Sequence, residues 1–314
     1  MSNKKLLVVG ELNIDLILNQ IQGFPEIGAE KIAENMDFTL GSSSAILASN
    51  IAALGVPTSF CGLLGEDNFG DFILKELRGK NVDTRFISRS EHHKTGITVV
   101  MNYDQDRANV TYCGAMSVLS IEHIPWENIS TFSHLHFSNY FLQPGMQPYI
   151  TELFKKAKEA GLSTSLDLQV DPQDKWDFDY KNCLPFVDVF LPNENELLKL
   201  TGKKNLKGAI EAIKNHTNIL ALKLGDKGGR VVSGSEDITI KPYLNNTYKD
   251  AIGAGDSFNA GFLKKFLSGA SLRECLDYAN LTGSVSTTAA GGTGAFSNEK
   301  EIKSKIQQIV NKKL

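Results

Sequence analysis

From residue 130 onward the chain alternates short apolar runs with helical periodicities, and nothing else in it constrains the fold as tightly. His134-Leu135-His136-Phe137 precedes a helix over 146–160. Ser163 to Asp167 precedes a loop, Val187 to Leu191 precedes a helix over 194–200, and Ile219 to Leu224 ends at Gly225. Helices close the chain over 256–268, 271–290 and 298–312. Strands that alternate with helices pair in parallel, and the crossover helices cover both faces of their sheet. The amino-terminal part starts the same way. Leu6 to Gly10 and Thr58 to Gly65 read as strands buried on both faces, with helices over Ser43 to Leu54 and Asp71 to Arg78.

Two stretches break the alternation. Residues 30–40 alternate loosely and predict a strand with one wet face. TGITVVMNYDQDRANVTYC, residues 95–113, is two β-rich runs around a polar turn at 102–107, a hairpin pattern. Together they read as a small β-sheet inserted into the main domain. No linker, repeat or low-complexity segment divides the chain, so the expectation is one domain over 1–314.

Composition excludes several classes. Of 314 residues, 41% are apolar and 22% charged, which removes disordered, collagenous and coiled-coil chains. Lys and Arg number 33 against 36 Asp and Glu, a net charge of −3 that makes no electrostatic case for nucleic acid or an acidic membrane. Cys61, Cys113, Cys183 and Cys275 are scattered and form no C-x-x-C pair, as expected of reduced thiols in a cytoplasmic protein. The opening MSNKKLLVVGELNID meets Glu11 and Asp15 too early for a signal peptide. No run approaches the roughly 20 apolar residues of a spanning helix. Lys31, Lys94 and the terminal NKKL read as solvated surface.

Four motifs carry chemistry. In Asp250 to Phe258 (DAIGAGDSF), two glycines and an alanine remove side chains where a backbone must approach a ligand. Phe258, Phe262, Leu263 and Phe266 follow at helical spacing, which puts Gly253 to Asp256 at a helix amino terminus, a ready anion site. Asp256 there can accept a hydroxyl proton, or simply cap the helix. Asn193 and Glu196, three apart after a strand, suit Mg²⁺ with oxygen ligands; the same pair would also form a capping box. Lys223-Leu224-Gly225-Asp226-Lys227-Gly228-Gly229 stands at a strand's carboxyl end, where open parallel sheets bind ligands, and can equally turn a hairpin into Val231-Val232. Asn13 and Asp15, with Gly41-Ser42-Ser43-Ser44, offer hydrogen bonds to a hydroxyl-rich ligand or ordinary turn chemistry.

There is no G-x-x-x-x-G-K-[ST] and no G-x-G-x-x-G after the first strand, so neither a P-loop nor a dinucleotide fold is supported. His134 and His136 read as packed or hydrogen-bonded histidines rather than zinc ligands.

Taken together these residues resemble the PfkB/ribokinase family of carbohydrate kinases. DAIGAGDSF matches the family's carboxyl-terminal signature, with Ala251 in place of the usual threonine, and Gly41 to Gly55 sits where the amino-terminal signature belongs. Gly65-x-Asp67-x-x-Gly70, Asn193-x-x-Glu196 and Lys223-Leu224-Gly225-x-x-Gly228 follow in family order along essentially the whole chain.

The resemblance implies an α/β, ribokinase-like fold: a mostly parallel central sheet with helices on both faces, plus a small β-sheet lid from about 12–40 and 92–115. It implies ATP-dependent phosphorylation of a sugar with Mg²⁺ and, in some members, a monovalent cation such as K⁺. By position, Asp256 resembles the catalytic base, and the N–H groups of Ala254, Gly255 and Asp256, after Gly253, the anion hole. Asn193 and Glu196 resemble the magnesium pair, and Asp250 and Ile252 the monovalent-cation positions. Lys223, Gly225, Asp226 and Gly228 resemble nucleotide contacts, and Asn280 to Gly292 the stretch bordering adenine. Asn13, Asp15, Gly41, Ser42 and Asn139 fall at sugar contacts. The lid of such enzymes often pairs two subunits, so a homodimer is expected, with no nucleic-acid or membrane partner.

The departures bear on substrate. The asparagine of the amino-terminal signature is Ile46 here, which loses a ribose-type hydrogen bond. Asp171 follows Asp167-Leu168-Gln169 where acid-sugar members of the family carry arginine, and a carboxylate there would repel an acidic sugar. The expected substrate is a neutral, fructose- or ribose-like sugar, phosphorylated at a primary hydroxyl. A nucleoside kinase of the same fold and a non-catalytic sugar- or nucleotide-sensing module are the alternatives.

Overall fold

The computed structural model of the chain describes residues 4–103, 107–245 and 247–311. The tip of the turn read at 102–107 and most of the NKKL tail lie outside the described residues. The strands and helices, in chain order, are β1 (Leu6–Gly10), β2 (Asn13–Ile21), β3 (Ala33–Leu40), α1 (Ser43–Ala53), β4 (Thr58–Gly65), α2 (Asn68–Gly79), β5 (Asp83–Ser90), β6 (Gly96–Asn102), β7 (Arg107–Tyr112) and β8 (His134–Ser138). They continue as α3 (Ile150–Glu159), β9 (Ser163–Asp167), α4 (Tyr180–Cys183), β10 (Val189–Phe190), α5 (Glu194–Thr201), α6 (Leu206–Ile213), β11 (Ile219–Lys223), β12 (Gly229–Ser233), β13 (Glu236–Ile240), α7 (Ala254–Leu267), α8 (Leu272–Ser286) and α9 (Glu299–Asn311).

The large sheet runs β13-β12-β11-β10-β9-β8-β1-β4-β5, parallel from β5 to β11, with β12 and β13 antiparallel at one edge. Side chains alternate across a strand, so β1 feeds two cores. Leu7 and Val9 enter the core built by α3, α5 and α6, while Leu6 and Val8 enter the one built by α1, α2, α7 and α8. Helices on both faces of a mostly parallel sheet are the expected α/β class.

After β1 the chain builds outward to β4 and β5 on one side and to β8 through β11 on the other. That reversal opens a crevice beyond the carboxyl ends of β1 and β8, the place where such sheets bind ligands. β2 follows β1 directly and stands at this end in a second sheet, β3-β2-β6-β7, in which β2 and β6 are parallel and the other pairs antiparallel.

Several expectations shift. The helix read from Asp71 begins at Asn68, because the Asp67 side chain accepts from Gly70 N–H and caps it. Of the run Val187 to Leu191, only Val189–Phe190 joins a ladder. Residues 34–38 of β3 are exposed throughout, so this strand has two wet faces rather than one. β5, α6 and β13 have no counterpart in the sequence reading. No helix among the described residues is long and apolar enough to cross a membrane. His134 and His136 are fully buried and bonded to Ser163 and Ser165 at 2.7–2.8 Å, and no described group of His, Cys, Asp and Glu could by itself hold a metal.

The helix that carries Asp256 is held by a close approach to its neighbour. A Cβ at Gly261 of α7 would collide with Thr282 Oγ1 and lie 3.0 Å from the Tyr278 carbonyl. Thr282 cannot turn away freely, because its hydroxyl donates to Tyr278 O at 3.0 Å and Ala279 O at 3.1 Å. Overpacking of this kind costs about 1–3 kcal/mol. Gly261→Ala is therefore expected to lower the denaturant midpoint by a matching amount with an unchanged slope; a midpoint equal to wild type would show that the two helices can separate at no cost.

Candidate active site

Four strand ends and one helix terminus converge at the crevice. Asp167 ends β9, Asn193 follows β10 and leads into α5, Lys223 ends β11, and Glu11 follows β1. The lysine ammonium lies 2.6 Å from Asp167 Oδ2, with 10% of its side chain exposed and none of the aspartate's. The same Asp167 oxygen accepts from Asn259 Nδ2 at 2.6 Å and from Gln169 Nε2 at 3.0 Å. A buried carboxylate needs this many donors to remain in the interior.

Asp256 stands in the first turn of α7. Gly253 before it has φ +71°, and a Cβ there would sit 2.5 Å from Gly292 Cα, so both steric and backbone terms require glycine. Gly253 supplies no side-chain cap to the helix amides. The Ala254 amide donates to Ala251 O at 3.2 Å, so of the three amides expected in the anion hole this one is already engaged within the turn. Asp250 clamps the turn: one carboxylate oxygen accepts from Ile252 N–H and the other from Gly291 N–H, both at 2.9 Å.

The Asp256 carboxyl is held well above the usual carboxylate range, first by burial and then by the charge of Asp167, against the opposing pull of Lys223. Lys223 is pushed down by burial, but Asp167 and Glu196 outweigh this and leave it raised. Glu196 is pushed up to about 7, first by burial, with Lys223 opposing and Asp167 adding.

The capping alternative for Asn193 and Glu196 is realised. Asn193 Oδ1 accepts from Glu196 N–H, and the Glu196 oxygens accept from Asn193 N–H at 2.8 Å and from its Nδ2 at 2.6 Å. The pair nonetheless lies beside Lys223, since Asn193 bridges to that residue across the sheet. Capping fixes the rotamer of Glu196 and leaves each oxygen a second lone pair.

Asp226, Gly225 and Gly228 line a cavity of about 440 Å³ together with Ala254, Gly255 and Asn280. Its apolar wall is Tyr243, Leu244, Tyr248 and Phe258. Lys223, Asn193, Glu196 and Gly292 are not on that wall. Lys223 is engaged in the ion pair with Asp167, and its ammonium lies 3.9 Å from where a Cβ on Gly255 would stand. Gly292 instead packs under Ile46: a Cβ on it would lie 2.8 Å from Ile46 Cγ1. Ile46, 4% exposed, thus fills the space between α1 and the turn before α7 rather than facing a ligand.

The polar set near β2 is assembled as well. Asn13 Nδ2 lies 3.0 Å from both Asp15 Oδ1 and Thr98 Oγ1, and a Cβ at Gly41 would come within 2.7 Å of Asn13 Nδ2. Ser42 has φ +69°; its hydroxyl donates to Glu11 O at 2.6 Å and accepts from Ala45 N–H, so it is spent on capping α1. Asn139, φ +60°, donates to Glu11 Oε1 at 3.3 Å.

Sequence reasoning missed Glu11 as a site residue. It is fully buried, accepts from Ser43 Oγ at 2.9 Å, from Ser44 N–H at 3.2 Å and from Ser44 Oγ, and is raised by burial. Its charge is felt by both Asp15 and Asp256, which places it between the two sets. The available signal was an acidic residue just beyond a fully apolar strand. The loop that supplies Tyr243, Leu244 and Tyr248 carried no such signal. Asp171, by contrast, is held by its own loop: it accepts from the N–H groups of Gln173 and Lys175 at 2.8 Å and Trp176 at 2.7 Å. The exclusion of acidic sugars cannot rest on it.

Comparison with known proteins gives the family and the fold. Residues 3–299 match the family described as pfkB family carbohydrate kinase. The chain is 25% identical over 288 residues to a 2-dehydro-3-deoxygluconokinase of Bacillus subtilis, covering 87% of this chain and 89% of the relative. A structure of Arabidopsis thaliana ribokinase complexed with ribose and ATP superposes with TM-score 0.84 at 26% identity, covering 97% of this chain and 99% of the other. Adenosine kinase from Sinorhizobium meliloti, at 22% identity and TM-score 0.83 over 94% of this chain and 98% of the other, shares the fold.

Asp15 links this site to stability. Burial raises its carboxyl to about 6, against the hydrogen bond from Asn13 and the charge of Arg107. An acid raised on folding is ionised at a cost above its folded value, and that cost vanishes as pH falls through 6 toward its unfolded value near 4. Replacing it with a neutral amide removes the cost only where it exists. Asp15→Asn is expected to stabilise by roughly 2–3 kcal/mol at pH 8 and by only about 1 kcal/mol at pH 4.5. Thermal melts at the two pH values check this; an equal effect at both would show that Asp15 ionises freely in the folded protein.

Proposed function

The chain belongs to the pfkB family of carbohydrate kinases, and from that premise we propose that it transfers the γ-phosphoryl group of ATP to a primary hydroxyl of a neutral sugar, fructose- or ribose-like. One observation carries the proposal. Asp256 is buried at the uncapped amino end of α7, with Ala254 and Gly255 on the wall of the cavity and the charge of Glu11 reaching it from the side of Asn13 and Asp15. A donor nucleotide in the cavity and an acceptor at Asn13 and Asp15 would therefore meet at this carboxylate.

In this reading the aromatic wall of Tyr243, Tyr248 and Phe258 takes the base, with Asn280 at its edge, and Gly225, Asp226 and Gly228 leave room for the nucleotide. The Gly255 and Asp256 amides and the helix dipole receive the phosphate oxygens. Asp256 accepts the proton of the acceptor hydroxyl as that oxygen bonds to the γ-phosphorus, the bond to the bridging oxygen breaks, and ADP leaves. Lys223 holds Asp167 and lends positive charge from beneath.

Mg²⁺ on the nucleotide would neutralise phosphate charge. Three buried carboxylates around one ammonium, with Glu196 raised to about 7, form a set that favours an added cation, and the capped geometry of Glu196 suits holding it through water. Asp250 and Ile252, clamped to Gly291, are the proposed seat of a monovalent cation such as K⁺.

The four-stranded sheet, from about 12–40 and 92–115, is the proposed lid of the single domain. Met36, Val110 and Tyr112 on it are more than half exposed, which favours a homodimer through this sheet; sedimentation of the wild-type chain reads this directly. The four described cysteines are free, as suits a cytoplasmic enzyme.

Glu11 and Asp15 favour an uncharged substrate. Arg107, whose charge acts on Asp15, favours the second reading of an acidic sugar. ATP-coupled turnover on pentoses, hexoses, sugar acids, sugar phosphates and nucleosides decides between them. A higher kcat/KM on a neutral sugar than on all others is expected, and the reverse order would overturn the substrate assignment.

Asp256→Asn keeps the size but cannot take a proton from an alcohol, and is expected to lower kcat by roughly 10²–10⁴-fold with little change in nucleotide affinity. Turnover within a few-fold of wild type would remove Asp256 as base. Glu196→Gln should raise the Mg²⁺ concentration for half-maximal rate several-fold, whereas an unchanged requirement would leave Glu196 with helix capping alone.

A further inference from the structure

Gln169 occupies a place that neither helix nor sheet explains. It lies two residues beyond the end of β9, half-buried, with φ +60°, a conformation that a side chain bearing a Cβ rarely adopts. Glycine or asparagine would sit there more comfortably. Residues held this way cluster where geometry serves a site.

Its amide explains the cost. Gln169 Nε2 lies 3.0 Å from Asp167 Oδ2 and 3.2 Å from Asp256 Oδ1, so one NH₂ group spans two buried carboxylates on different elements. Lys223 and Asn259 both donate to Asp167. Gln169 is thus the hydrogen-bond donor that the described structure places on the Asp256 carboxylate.

We propose that Gln169 is a positioning residue for phosphoryl transfer: its amide fixes the rotation of the Asp256 carboxylate by holding Oδ1, and so leaves Oδ2 turned to the acceptor hydroxyl. The proposal rests on the reading of Asp256 as the base. A second effect follows from the same bond. A donor to a carboxylate favours the ionised form, the form able to take a proton. Around Asp256 the charged groups are Asp167, Glu11 and Glu196, which disfavour its ionisation, and Lys223, which favours it. The Gln169 amide adds to the side of Lys223 without adding charge.

Gln169→Gly tests this, because glycine relieves the positive φ while Lys223 and Asn259 still hold Asp167. The variant is expected to melt at or above the wild-type temperature, to lose at least tenfold in kcat with KM for ATP within about threefold, and to show its acidic limb of kcat at higher pH. Gln169→Asn, which tolerates the backbone and keeps an amide one methylene shorter, should fall between glycine and wild type. Combined with Asp256→Asn, Gln169→Gly should cost nothing further, since there is no base left to orient. A kcat within twofold of wild type with an unmoved limb would overturn the proposal. So would an equal loss in the Asp256→Asn background, which would show that Gln169 acts independently of Asp256. Near-wild-type turnover of Asp256→Asn alone is a different failure, since it removes the base assignment and the positioning role with it.

Discussion

The buried ion pair between Lys223 and Asp167 is the contact on which the site is built. It joins the carboxyl ends of β11 and β9 at 2.6 Å, and through Asn259 and Gln169 it reaches α7 and the loop after β9. A buried pair seldom stabilises relative to an apolar one of the same volume, because both ions give up their hydration. What it provides is placement. Each partner can satisfy its charge only where the other stands, so the ends of two strands and the start of a helix are brought into one register.

That arrangement also sets the electrostatics. Asp256, Glu196 and Asp167 crowd a single ammonium, and burial denies them water. Asp256 and Glu196 respond by holding their protons more tightly than exposed carboxylates do. The region is poised to receive positive charge and to accept a proton, which are the two demands of moving a phosphoryl group onto an alcohol. The glycines beside it answer a different need. At Gly253 the backbone must take a positive φ against Gly292, and at Gly41 it must pass close to Asn13.

Much of this was legible in advance. The alternation of apolar runs with helices named the parallel sheet, and DAIGAGDSF named a helix terminus with a carboxylate in its first turn. The hairpin and ligand readings of the segment after Lys223 are compatible, since β11 and β12 pair while Gly225, Asp226 and Gly228 line the cavity. Other residues have partners that position in the sequence does not reveal. Lys223, a nucleotide contact by resemblance, has its ion-pair partner Asp167 56 residues away in sequence. Asp171 looked like a repelling charge, yet three amides of its own loop claim it, a local competition that position alone does not reveal. Ser42, a sugar contact by resemblance, also caps α1.

By itself the sequence determined the fold class, the main alternation of strands with helices and the residue types at the strand ends, because periodicity and turn chemistry are local properties. Only the tertiary structure decided which of those ends meet. The bond from Gln169 to Asp256, the burial of Glu11 between two polar sets and the pairing of Lys223 with Asp167 all depend on segments far apart in the chain. A side chain's charge state and partners follow from what surrounds it in space, and that neighbourhood exists only once the sheet has closed its crevice.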